Sequence, residues 1–142
     1  MTVIDTWNLE NLYRPGGRFG PEDEVAYGAK LKALAGTITR LGPDLLGVQE
    51  VGDPLTLADP VDILDGPWHT AVSAHPDARA IRVGFLSRLP LTPLADVTDF
   101  PDLLAPVQAD DHNDPTDRMG RGAPAVRLEP APVTPWTSWC AI

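Results

Sequence analysis

Residues 21–41 carry the pattern that most restricts what this chain can fold into. Tyr27, Leu31, Leu34, Ile38 and Leu41 recur at three- and four-residue steps, which sets them in one stripe along an α-helix. Pro21, Glu22, Asp23 and Glu24 suit a helix N-terminus, where proline is tolerated and acidic groups meet the dipole. Gly42-Pro43 is a stop signal. Gly36 weakens the interior by about 1 kcal/mol relative to alanine. Lys30, Lys32 and Arg40 are read as turned away from the stripe. A helix with a single apolar stripe must bury it against another element, and both of its flanks read as strand.

Residues 2–8 read as a buried strand, with β-branched Thr2, Val3, Ile4 and Thr6 and aromatic Trp7. Polar Asn8, Glu10 and Asn11 collect where that strand ends. The turn-rich R-P-G-G-R-F-G-P (14–21) follows and cannot continue it. Beyond the helix, residues 44–51 repeat the arrangement: an apolar run that delivers Gln49 and Glu50. Strand, helix and strand at this spacing suit a βαβ crossover, with the helix packed on one sheet face. Asn8 and Glu50 then come to one cleft at the ends of neighbouring strands.

Further along, residues 53–66 suggest short helical turns broken by proline. Residues 68–73 and 81–88 are two more strands, joined by the polar H-P-D-A-R and better suited to an antiparallel hairpin than to another crossover. Residues 89–118 show no period. Five prolines (90, 93, 101, 106 and 115) and D-D-H-N-D (110–114) mark them as a long loop, with a strand near Leu94–Val97. Residues 122–129 form a further strand.

The D-D-H-N-D cluster has ligand types for a hard cation but lacks the glycine and spacing of a calcium loop, so it reads as solvated. His69 and His75 lack the partners of a zinc pair. Cys140, the sole cysteine, excludes an internal disulfide and has no positioned base.

With 142 residues, one domain with a real core is expected. The formal charge of −9 opposes a broad, sequence-blind grip on nucleic acid. It leaves room for a phosphate substrate, because a bound divalent metal reverses the field locally. No apolar run is long enough to cross a bilayer, and Asp5 and Glu10 interrupt any leader-like start. Cytoplasmic location without membrane attachment is the expectation.

T-W-N-L-E-N (6–11), P-D-L-L-G-V-Q-E-V (43–51), R-V-G-F-L-S-R (82–88) and M-G-R-G-A (119–123), in this order, resemble the endonuclease/exonuclease/phosphatase superfamily. The resemblance covers residues 2–129 and only the first half of a family domain. It implies an α/β fold: the N-terminal half of a four-layer αββα sandwich, a mixed sheet with one main amphipathic helix. It also implies metal-dependent hydrolysis of a phosphate ester or nucleic acid. Glu50 matches the glutamate that ligates catalytic Mg²⁺ or Mn²⁺. Asn8 matches the asparagine that helps hold the metal or the scissile phosphate. Arg121 matches a phosphate-facing arginine. Arg82 and Arg88 flank a core strand.

The pattern also departs from the family. The later histidine, the Asp-x-Asn pair and the terminal Asp-His pair are missing; Asp111-His112 copies only a dipeptide. Two roles therefore stand open: a weakly active or inactive hydrolase, or a non-catalytic remnant or binding module that needs a second half or partner. Half a sandwich exposes its inner sheet face, so self-association through that face is expected.

Residues 130–142 form an irregular tail. Because tryptophan has a single codon, the frame shifted by two nucleotides from Trp136 can be read, and with G/C-rich codons it spells D-V-V-V-R-H. An apolar strand ending in histidine is what the resemblance places there. The expectation is that the chain leaves its ancestral frame between Glu129 and Trp136.

Overall fold

The computed structural model describes residues 1–105, 108–109 and 112–129, and the 130–142 tail lies outside them. Strand β1 (Ile4–Leu12) leads through helix α1 (Glu24–Leu41) to strand β2 (Leu45–Val51), which pairs with β1 in parallel. A 3₁₀ turn (Pro54–Leu57) and the single-turn helix α2 (Ala58–Val61) follow. Strands β3 (His69–Val72) and β4 (Arg82–Ser87) form an antiparallel hairpin, and β4 runs antiparallel to β2. The result is one four-stranded mixed sheet in the order β1-β2-β4-β3. Strand β5 (Leu91–Asp99), the short pair β6 (Gln108–Ala109) and β7 (Pro115–Thr116), and strand β8 (Arg118–Leu128) complete the chain. The class is α/β with a mixed sheet and one long amphipathic helix, as the sequence implies.

The helix begins three residues later than its composition suggests. Asp23 is the cap, accepting from the Ala26 amide at 2.8 Å, so Pro21 and Glu22 lie in the approach. Its buried stripe is Tyr27, Leu34, Ala35 and Ile38, while Leu41 is 48% exposed because it lies in the last turn. Gly42 adopts the left-handed conformation and returns its amide to the Ile38 carbonyl, a cap that costs glycine little. The stripe packs on Leu9, Leu46, Val48 and Leu86 of the sheet, with Leu12, Val51, Leu57 and Leu64 closing the core. Each such fully buried side chain contributes roughly 1.5–3 kcal/mol relative to exposure.

Two boundaries correct the sequence reading. β1 is shifted, starting at Ile4 and continuing through the polar residues to Leu12. Residues 89–118 are not a long loop: β5 is a nine-residue strand paired antiparallel with β8, which starts at Arg118 rather than 122. Pro93 misled the reading. It is tolerated because β5 and β8 form a two-stranded ribbon, in which each strand is an edge.

Side-chain and backbone hydrogen bonds join the ribbon to the end of β3. The Asp96 carboxylate accepts from the Ser73 hydroxyl and the Ala74 amide (2.7 Å), and the Gly122 amide donates to the His75 carbonyl. On the face away from α1, Ile4, Thr6, Gly47, Val83 and Phe85 line an open groove of about 380 Å³, with Ala123 and Pro124 of β8 at its rim.

Candidate functional site

The parallel register of β1 and β2 is regular up to Asn8↔Gln49 and resumes at Leu12↔Val51. Between those pairs Leu9, Glu10 and Asn11 face Glu50 alone, so β1 bulges. Bulges concentrate where a strand must re-aim its side chains, often beside active sites. Glu10 (φ 52°), Asn11 (φ 60°) and Glu50 (φ 63°) are all left-handed, which no glycine relieves. Such residues cost of order 1–3 kcal/mol each and persist where surrounding contacts over-determine them.

Those contacts are specific. The Glu10 amide donates to Asn8 Oδ1 at 2.8 Å. The Asn11 amide donates to Glu50 Oε2 at 2.9 Å. Lys30, from α1, donates its ammonium to the carbonyls of Glu10 and of Asn11, the latter at 3.1 Å. Burial lowers the Lys30 pKa, while the Glu10 and Glu50 carboxylates oppose that shift. Gln49 turns to the open face and donates to Thr6 Oγ1. Asn8 is therefore both the last residue of the regular register and a cap of the turn that follows it. Glu50 stands half-buried opposite the bulge.

A second group meets the same corner. The Tyr13 ring occupies the space a side chain at residue 52 would need, so Gly52 is required there. The Tyr13 hydroxyl donates to the Arg79 carbonyl at 2.6 Å. Burial raises its pKa first and Asp77 second; Arg79 opposes, Glu50 adds to the rise, and Arg121 opposes. Glu50, Asp77, Arg79 and Arg121 thus all lie within electrostatic reach of one phenol. Arg121 pairs with Asp77 at 2.9 Å, and Asp77 also accepts from the Arg79 and Ile81 amides.

The structure thus sets Asn8 on β1 opposite Gln49, the residue before Glu50 on the adjoining strand, and pairs Arg121 of β8 with Asp77 of the β3–β4 connection. Arg82 and Arg88 have other occupations. Arg82 donates to the carbonyls of Gly52 and Ala80, and Arg88 lies over the Trp68 ring at 4.8 Å. Lys30, Tyr13 and Asp77 escaped the sequence reading. Lys30 was read as facing away, yet it borders Leu31 at the edge of the stripe and turns back to β1. Asp77 sat in a connection read only as polar.

The donor set fits a hard cation in part. Glu50 offers one carboxylate, with one oxygen already held by the Asn11 amide, and Asn8 offers an amide oxygen. Mg²⁺ is commonly held by only one or two carboxylates, its remaining positions going to water and phosphate oxygens. Among the described residues no group of three or more His, Cys, Asp or Glu side chains could hold a metal by itself. Asp110 and Asp111 of the acidic cluster lie outside the described residues. No helix among them is long and apolar enough to cross a membrane.

A model of the Endonuclease/Exonuclease/phosphatase family matches residues 6–140. No curated protein and no solved structure matches the chain.

Proposed function

Because the chain belongs to the endonuclease/exonuclease/phosphatase family, one of nuclease- and phosphatase-type hydrolases, we propose that the β1–β2 bulge is one wall of a divalent-metal site for phosphate-ester hydrolysis. The observation that carries this reading is the Asn11–Glu50 hydrogen bond: it fixes a carboxylate near the end of β2, across the bulge that follows Asn8 on β1. Glu50, through its second oxygen, and Asn8, through Oδ1, would hold Mg²⁺ or Mn²⁺. When bound, such an ion neutralises charge developing on the phosphoryl and leaving oxygens.

The chain's own residues bind and orient. Asn11 keeps the Glu50 carboxylate in one rotamer. Arg121 spends part of its guanidinium on Asp77, and a guanidinium has five donors, so it retains some for a phosphate oxygen. The substrate class is a phosphate ester or nucleic acid, consistent with the family.

Turnover by this chain alone is expected to be low. One carboxylate makes a weak Mg²⁺ site, and general-base help of about 10²–10⁴-fold is missing when no positioned base is present. Mn²⁺ titration by calorimetry tests the metal site: binding to the wild type and loss in Glu50→Gln are expected, and equal binding in both overturns it. Plasmid and bis-p-nitrophenyl phosphate assays with a Glu50→Ala control test turnover. Robust activity that the substitution abolishes overturns the low-activity reading.

A second reading stands beside this one. Here the chain is a non-catalytic module whose half-site is completed by a partner. Unchanged melting with Mn²⁺ and no hydrolysis would support it.

A further inference from the structure

We propose that Lys30 is a positioning residue for Glu50, acting through the single peptide unit that joins Glu10 to Asn11. The inference rests on the metal-site reading above and extends it to the helix.

The Glu10 carbonyl and the Asn11 amide are the two ends of one planar trans peptide, so they point in opposite directions. The carbonyl end is bound by the Lys30 ammonium, and the amide end donates to Glu50 Oε2 at 2.9 Å. Fixing one end fixes the aim of the other. Lys30 also holds the Asn11 carbonyl at 3.1 Å, so both left-handed residues of the bulge are anchored to one ammonium. A cation on the carbonyl polarises the peptide and strengthens its N–H as a donor to an anion.

The location supports this role. Lys30 is half-buried, beside a small cavity of about 230 Å³ lined by Trp7, Asn8, Leu34 and Thr37. A lysine spent only on solubility would extend into water rather than give up hydration to bind two carbonyls. Groups bonded directly to a ligand, as the Asn11 amide is to Glu50, typically change metal affinity by about 10–100-fold when lost, and Lys30, one bond further out, acts at the lower end of that range.

The test uses the full chain, isotope-labelled. In the wild type, a scalar coupling across the hydrogen bond between the Asn11 amide nitrogen and the Glu50 carboxylate carbon is expected. Its absence overturns the proposal without any variant. In Lys30→Met the coupling should vanish and Asn11 amide exchange should rise roughly tenfold, the equivalent of one lost hydrogen bond. Mn²⁺ affinity should fall about tenfold or more. Lys30→Arg, which keeps a cationic donor, should recover most of each effect. Unchanged Asn11 exchange in a folded Lys30→Met protein overturns the proposal. Should the wild type bind no Mn²⁺, the metal-site reading falls, while the coupling and exchange data still decide the peptide clamp.

Discussion

The amide of Asn11 donates to Oε2 of Glu50 at 2.9 Å across 39 residues of sequence. That bond closes the bulge of β1 over the end of β2. It also helps explain why three left-handed residues without glycine survive in one corner: the amides and carbonyls of Glu10 and Asn11 are all occupied, and the Glu50 carboxylate holds the Asn11 amide.

Glu10 is left-handed at φ 52°, and the bulge uses its backbone. Glu10→Gly should therefore keep the corner intact and raise stability by about 0.5–1 kcal/mol, as relief of a left-handed side chain offsets glycine's greater freedom when unfolded. Urea unfolding measures this. A clear loss of stability would mean that the Glu10 carboxylate itself supports the fold.

Asp77 ties the β3–β4 connection together, accepting from two backbone amides and pairing with Arg121. Asp77→Ala should cost about 1–3 kcal/mol, the penalty for orphaning such donors. It should also free Arg121, shifting the Tyr13 environment in fluorescence or NMR. An unchanged unfolding midpoint would contradict the assignment.

The two-sheet joint leaves no room at residue 122. A Cβ there would collide with the Asp96 carboxylate and the Ser73 hydroxyl. Gly122→Ala should destabilise the chain by about 1–3 kcal/mol, the usual cost of overpacking. The β5–β8 ribbon should be affected first, visible as faster amide exchange in those strands with the α1 core still protected.

Asp59 links the loop after β1 to α1. Its carboxylate accepts from Arg14 (2.5 Å) and from the Tyr27 hydroxyl (2.5 Å). The Arg14 hydrogen bonds hold it below the ordinary carboxylate value; burial works the other way, and Tyr27 and the Arg14 charge add to the lowering. A carboxylate lowered in the folded state contributes stability that is present above its unfolded value of about 3.9 and lost as pH falls through the folded value. Wild type should lose stability below about pH 4, and Asp59→Asn should flatten that part of the curve. The slope should be small, because the Arg14 side of the pair is about half exposed and screened by solvent. Identical acid limbs in the two proteins would remove Asp59 from the account.

The sequence by itself determined the βαβ unit and the hairpin, because each rests on local pattern: a 3.6-residue stripe through Tyr27, Leu34 and Ile38, and short apolar, β-branched runs for the strands. The family is carried by the motifs at 6–11, 43–51, 82–88 and 119–123. The sequence also set Asn8 and Glu50 on neighbouring strands, since the crossover makes β1 and β2 adjacent; the register that puts Asn8 opposite Gln49 came from the structure. It indicated a strand near Leu94–Val97 but not the full length of β5, because Pro93 signals a breaker in any single-strand reading and only the pairing with β8 extends the strand from Leu91 to Asp99. Nor could it assign Lys30, Tyr13 or Asp77. Their partners are backbone carbonyls and amides, which every residue carries and no sequence distinguishes. Only the tertiary structure decides which carbonyls a lysine ammonium meets, and here it meets the bulge that aims Asn11 at Glu50.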